Sequence, residues 1–83
     1  MEELKYGREI AASLLDTLGR EVALEVDTDL LDLGLDSINF VRLIVLLEER
    51  LSIRIADDDV LLAHFSTPAR IDQLLNRYAK QAQ

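Results

Sequence analysis

The stretch Gly34-Leu35-Asp36-Ser37-Ile38-Asn39-Phe40, running on to Leu51, decides the fold. Gly34 permits a backbone turn that other residues resist. Asp36 is an N-cap candidate with Asn39 at N3, and it opens a helix predicted over Ser37–Leu51, the most apolar segment of the chain. On a wheel of about 3.6 residues per turn, Phe40, Leu43, Ile44, Leu47 and Leu51 share one face, the expected core. Ile38, Val41 and Val45 form a second apolar strip, flanked by Asn39, Arg42, Leu46 and Glu49. A helix apolar nearly all round is usually buried. In an 83-residue bundle, however, one helix cannot be covered on every side, so this strip is expected to be partly exposed beside Ser37. With Asp36 as the cap, Ser37 falls at N1, its hydroxyl turned to solvent at the positive end of the helix. An anionic phosphate ester there gains roughly 0.3–1 kcal/mol. The plain alternative is that Asp-Ser only caps the helix.

Upstream lie 17 residues, Arg20 to Asp36, without sustained helical periodicity. So long a connection is uncommon in a compact domain and is usually functional or disordered. Leu24, Val26, Leu30, Leu31, Leu33 and Leu35 supply apolar anchors, so a structured loop is expected, with a short turn around Asp29 to Asp32. Before it, a helix is predicted over Glu2 to Leu18: Leu4, Gly7, Ala11, Leu14 and Leu18 keep the 3–4 spacing, and Ile10 and Leu15 widen the stripe. Glu2 and Glu3 suit the first turn, Gly19 suits C′, and Gly7 weakens the start. Downstream, Asp57-Asp58-Asp59 offers cap and first-turn carboxylates to a short third helix, about Asp58 to Phe65. Leu51 to Ile55 alternates but is too short, and lacks a partner run, to be a strand. Thr67-Pro68 restarts the chain as N-cap and N1, and Ile71, Leu74, Leu75, Tyr78 and Ala82 stripe a fourth helix. The expected fold is all-α: a small four-helix bundle, one domain over residues 1–83, with a long loop between helices 1 and 2 and a short third helix.

Composition narrows the function. The chain has 83 residues, 16 Asp and Glu against 9 Lys and Arg, a net charge of −7 and no cysteine, which removes disulfides and thiolate metal sites. At 49% hydrophobic residues it is too apolar for a disordered acidic tail. The longest apolar run, Leu43 to Leu47, is far short of a membrane span, and no signal peptide is expected at the start. Acidity disfavours nucleic acid and favours partners with basic patches. The imbalance is local: residues 27–59 hold nine acids and three bases, a net of −6, whereas the rest hold seven acids and six bases. Asp27, Thr28, Asp29, Asp32 and Gly34 come near a calcium loop, but Leu31 and Ile38 stand where the fifth and twelfth positions need ligands. His64 is the only histidine, so a zinc site built on several imidazoles is excluded. Ser37 lies in no Gly-x-Ser-x-Gly elbow, so a Ser-His-Asp hydrolase is disfavoured. Tyr6 and Tyr78 are expected at the core edge, their hydroxyls reaching water.

The string from Asp29 to Ile38, the apolar helix ending Leu47-Glu48-Glu49-Arg50-Leu51, the acidic short helix and the Thr-started last helix together resemble the acyl and peptidyl carrier protein family. The resemblance spans nearly the whole chain. It implies that Ser37 receives 4′-phosphopantetheine from coenzyme A through a phosphopantetheinyl transferase. The arm's thiol then holds an acyl, aminoacyl or peptidyl group as a thioester for partner enzymes. It also implies that Gly34 and Asp36 set the presentation of Ser37, Asp36 helping the transferase place its metal and the serine. Leu35, Ile38, Val41, Arg42 and Val45 are the implied partner contacts. Such a chain performs no chemistry of its own; cargo-loading, condensing, transferring and releasing enzymes do. Fatty-acid carriers commonly place acids where Asn39 and Arg42 stand here. A dedicated peptide, polyketide or D-alanyl transfer pathway is therefore expected, with general fatty-acid synthesis as the alternative. An acidic helical adaptor without a prosthetic group is the reading from another class. A cytoplasmic monomer is expected, and Met1 with short tails suggests a free-standing carrier rather than part of a megasynthase.

Overall fold

A computed structural model describes residues 1–81. Three α-helices appear in chain order, α1 (Gly7–Leu18), α2 (Phe40–Leu51) and α3 (Pro68–Gln81), with 3-10 turns at Asp57–Asp59 and Leu62–Phe65 and no strand among the described residues. Ile10 and Leu14 of α1, Leu43 and Leu47 of α2, and Ile71, Leu74 and Leu75 of α3 meet in one core, closed by Phe65 and Ile55. Phe65 sets its ring edge against Phe40 at 6.0 Å between centroids, fixing the second 3-10 turn to the first residue of α2. No described helix is long and apolar enough to cross a membrane.

The all-α expectation holds, but the helix count does not. The predicted short helix from Asp58 to Phe65 is two separate 3-10 turns, with Leu61 extended between them (φ −126°, ψ 129°). The first of these turns buries no residue, so packing gives it no reason to grow into an α-helix. Its anchor is a side chain from α3. The Tyr78 hydroxyl accepts the Ala56 N–H at 2.9 Å and donates to the Asp59 carboxylate. That corrects the expectation of a hydroxyl reaching water. Burial first, and the bond to Asp59 second, hold the phenol above its ordinary pKa.

α1 begins at Gly7, not Glu2. A Cβ at position 7 would collide with the Met1 carbonyl oxygen, because residues 1–6 fold back across the helix start in turns. Glu2 and Glu3 are thus outside the helix. The Tyr6 N–H donates to buried Asp72 of α3 at 2.8 Å, strapping this segment down. Leu15 is 40% exposed rather than core. Gly19 ends α1 as predicted, at φ 74° with its N–H on the Leu15 carbonyl. Arg50 ties α2 to α1 by bonds to Ser13 Oγ (3.2 Å) and Asp16 Oδ2 (2.8 Å). Thr67 caps α3 by accepting the Arg70 N–H at 3.2 Å, with Pro68 at N1. Ala82, the last position of the predicted stripe, lies outside the described residues.

The long loop is ordered by backbone bonds to distant elements. Leu30 N–H donates to the Ser66 carbonyl, and Ala69 N–H to the Val26 carbonyl, each at 2.9 Å. Leu30 is fully buried, Leu24 and Leu33 pack at the core margin, and Leu31 is 44% exposed instead of anchoring.

Candidate functional site

Ser37 stands where this loop enters α2. The Asp36 Oδ1 accepts the N–H groups of Ile38 (2.9 Å) and Asn39 (2.8 Å), and Asn39 Oδ1 accepts the Asp36 N–H at 2.8 Å in return. This is a reciprocal capping box with Asp at the cap and Asn at N3. Asn39 Nδ2 also donates to the Gly34 carbonyl at 2.9 Å, and Arg20 to the Leu33 carbonyl at 2.8 Å. Gly34 sits at φ 113°, where an L side chain is strained. The first helical bond, Phe40 N–H to the Asp36 carbonyl, is 3.1 Å long. Residues 37–39 form a turn rather than regular α-helix: Phe40 bonds back four residues to Asp36, but Arg42 bonds back only three, to Asn39, and the four-residue ladder resumes with Leu43 on Asn39.

Within the turn the Ser37 side chain is exposed and joins no hydrogen bond among the described residues. In particular no bond links it to His64, so the pair needed for a serine hydrolase is not formed. Asp36 spends Oδ1 on the cap, while Oδ2 makes no hydrogen bond among the described residues. An exposed, unbonded hydroxyl beside a partly free carboxylate fits a phosphodiester attachment: the oxygen is open to an incoming group at the positive end of the helix. Asp27, Asp29, Asp32 and Asp36 are all exposed on the approach, giving the loop an acidic surface.

Of the residues expected to face partners, Ile38 is 83% exposed, Val41 49% and Val45 45%. Arg42 is exposed on the same face and makes no ion pair among the described residues. Leu35 is the correction. It is 2% exposed, its N–H bonded to the Leu30 carbonyl at 3.0 Å, and its side chain supports the turn from the core. Leu31 adds an exposed apolar group to the turn that delivers Gly34, which the sequence reading placed among the anchors. The signal that finds it is local: Asp29 Oδ1 accepts the Leu31 N–H at 3.0 Å, and Leu30 takes the inward position.

Compared with known protein families, residues 8–75 match the model described as phosphopantetheine attachment site. No curated protein and no solved structure matches the chain.

Proposed function

The chain belongs to the phosphopantetheine attachment site family, and we propose that Ser37 is the residue that bears its covalent 4′-phosphopantetheine. The observation that carries the assignment is an exposed hydroxyl without partners, held at a helix start by the Asp36–Asn39 box. When bound, the group supplies a flexible arm whose terminal thiol holds acyl, aminoacyl or peptidyl cargo as a thioester. The chain's own residues present it. Asp36 and Asn39 fix the turn, Gly34 permits the entry, and Leu35 braces it from beneath. The positive end of the helix dipole favours the negative charge of a phosphodiester.

Ile38, Val41 and Val45 with Arg42 form the docking face for a phosphopantetheinyl transferase, a cargo-loading enzyme and downstream transferring or releasing enzymes. Docking is weak and quickly reversed, so that one carrier visits several partners. Arg42 and Asn39, standing where carriers of fatty-acid synthesis commonly have acids, favour a dedicated peptide, polyketide or D-alanyl transfer pathway. The carrier acts as one domain, a cytoplasmic monomer without catalysis of its own. The test is incubation with coenzyme A and a promiscuous phosphopantetheinyl transferase, read by intact mass. A gain of one phosphopantetheine, absent in Ser37→Ala, is expected. No gain with several transferases would leave the acidic adaptor standing, and turnover of an activated ester in the same sample would point to a hydrolase.

A further inference from the structure

The solvent face of α3 differs in charge from the surface around Ser37. Among the side chains described in this helix, Arg70, Gln73 and Arg77 are the exposed ones, at i, i+3 and i+7 and hence on one face. The helix's acid, Asp72, is turned inward at 8% exposure, one oxygen on the Tyr6 N–H and the other on the Asn76 amide. His64, from the second 3-10 turn, stands beside Arg70 and Arg77, and Leu74 lies beneath them; with Gln73 these side chains line a shallow hollow. On a chain with 16 acids and 9 bases, Arg70 still makes no ion pair among the described residues. Arg77 has only a long one, 3.7 Å to Asp59. Among the described residues, the hollow's lining holds two guanidinium groups and no carboxylate; Asp59 at its Arg77 end offsets part of that charge and leaves Arg70 as the unpaired cation.

We propose that this hollow is a docking surface for an acidic peptide segment of a partner protein, separate from the face that carries Ser37. The two arginines lie about 10 Å apart along the helix axis, at about 1.5 Å per residue. A single small anion does not span that distance. A segment in the polyproline II conformation, with three residues per turn and about 3.1 Å per residue, does: carboxylates three residues apart then fall on one side of it. Guanidinium forks bind carboxylates in bidentate fashion, and the arginine stems give the peptide apolar contact. No residue is shared with the Ser37 face, so a partner held here leaves Ile38, Val41 and Arg42 free for an enzyme.

The test is titration of the intact chain with a short oligoglutamate peptide, followed by amide and His64 ring resonances. The net charge of −7 opposes non-specific association, so saturation marks a local site. Saturable shifts centred on His64, Arg70, Gln73 and Arg77 are expected, weakening as salt is raised. Arg70→Gln with Arg77→Gln keeps the apolar stems and should weaken binding about fivefold, the scale of two exposed ion pairs. Ser37→Ala and Arg42→Gln should leave it unchanged. The proposal is overturned by an absence of saturable shifts, by equal binding to the double variant with its spectrum otherwise intact, or by shifts centred on Arg42. An equal response of the same residues to inorganic phosphate would overturn the peptide as occupant.

Discussion

At the start of α2 the Asp36 carboxylate accepts two backbone N–H groups; at the start of α3 the Thr67 hydroxyl accepts one. Both ends are capped by a short polar side chain, and both place a compact residue at N1. Their surroundings then diverge. Ser37 is exposed and Ile38 after it is 83% exposed, whereas Pro68 is fully buried and the N–H of Ala69 is taken by the Val26 carbonyl. A cap satisfies donors, but it does not decide whether the next residue meets solvent or protein. The long loop decides that here. It lies across the start of α3 and leaves the start of α2 open, making one helix end structural and the other available for attachment.

The largest separation of the two ends comes from their N1 residues. Ser37→Ala should abolish the mass gain with coenzyme A and transferase while leaving the thermal midpoint in place. Pro68→Ala should keep the mass gain and lose about 1–2 kcal/mol, from a buried ring removed and an unfolded chain made freer. A Ser37→Ala protein that melts as early as Pro68→Ala would erase the distinction. Next come the residues on either side of the Asp36–Ser37 pair. Leu35→Ala should cost about 2–4 kcal/mol in denaturant unfolding, as buried leucines do, and Ile38→Ala less than about 0.5 kcal/mol. Equal losses would mean that Ile38 is covered in solution. The caps follow. Asp36→Ala, giving up two bonds, should cost about 1–2 kcal/mol and slow transferase loading; Thr67→Ala should cost about 1 kcal/mol and leave loading alone.

A further effect lies along α3 and depends on pH. The Tyr78 phenol is held above its ordinary value near 10, so folding favours its neutral form. Its contribution is fully present below about pH 10 and is lost as pH rises through the higher folded value. Tyr78→Phe should therefore cost about 1 kcal/mol at neutral pH and flatten the alkaline fall of the melting temperature. An unchanged alkaline limb would show that the phenol does not titrate with unfolding.

What was legible in the sequence follows the reach of each interaction. Both caps were readable because Asp36 speaks to residues two and three positions on, and Thr67 to the third. The exposed strip of α2 followed from the helical period. Leu35 was misplaced because it precedes the helix, where no period applies, and its inward turn depends on a bond to Leu30. The split of the predicted third helix was hidden for a similar reason. Its anchor, Tyr78, is 19 residues from Asp59, and a run of three aspartates reads locally as a helix start. The late start of the first helix was signalled by Gly7, but the Met1 carbonyl that requires a glycine there was not. Loop order rested on pairs such as Val26 with Ala69, which join backbone to backbone and leave no mark in residue type.

The bonds from Arg50 to Ser13 and Asp16 have a further consequence for α2. They hold the helix near its C-terminal end, while Phe40 against Phe65 holds the other end. A rod fixed at both ends cannot roll about its own axis. One residue step is a rotation of about 100°, enough to carry Val41 and Val45 inward and bring core leucines out. The azimuth of the apolar strip is thus indexed by a polar clamp 13 residues from Ser37, and loosening Arg50 would blur what a partner reads without altering a single residue it touches.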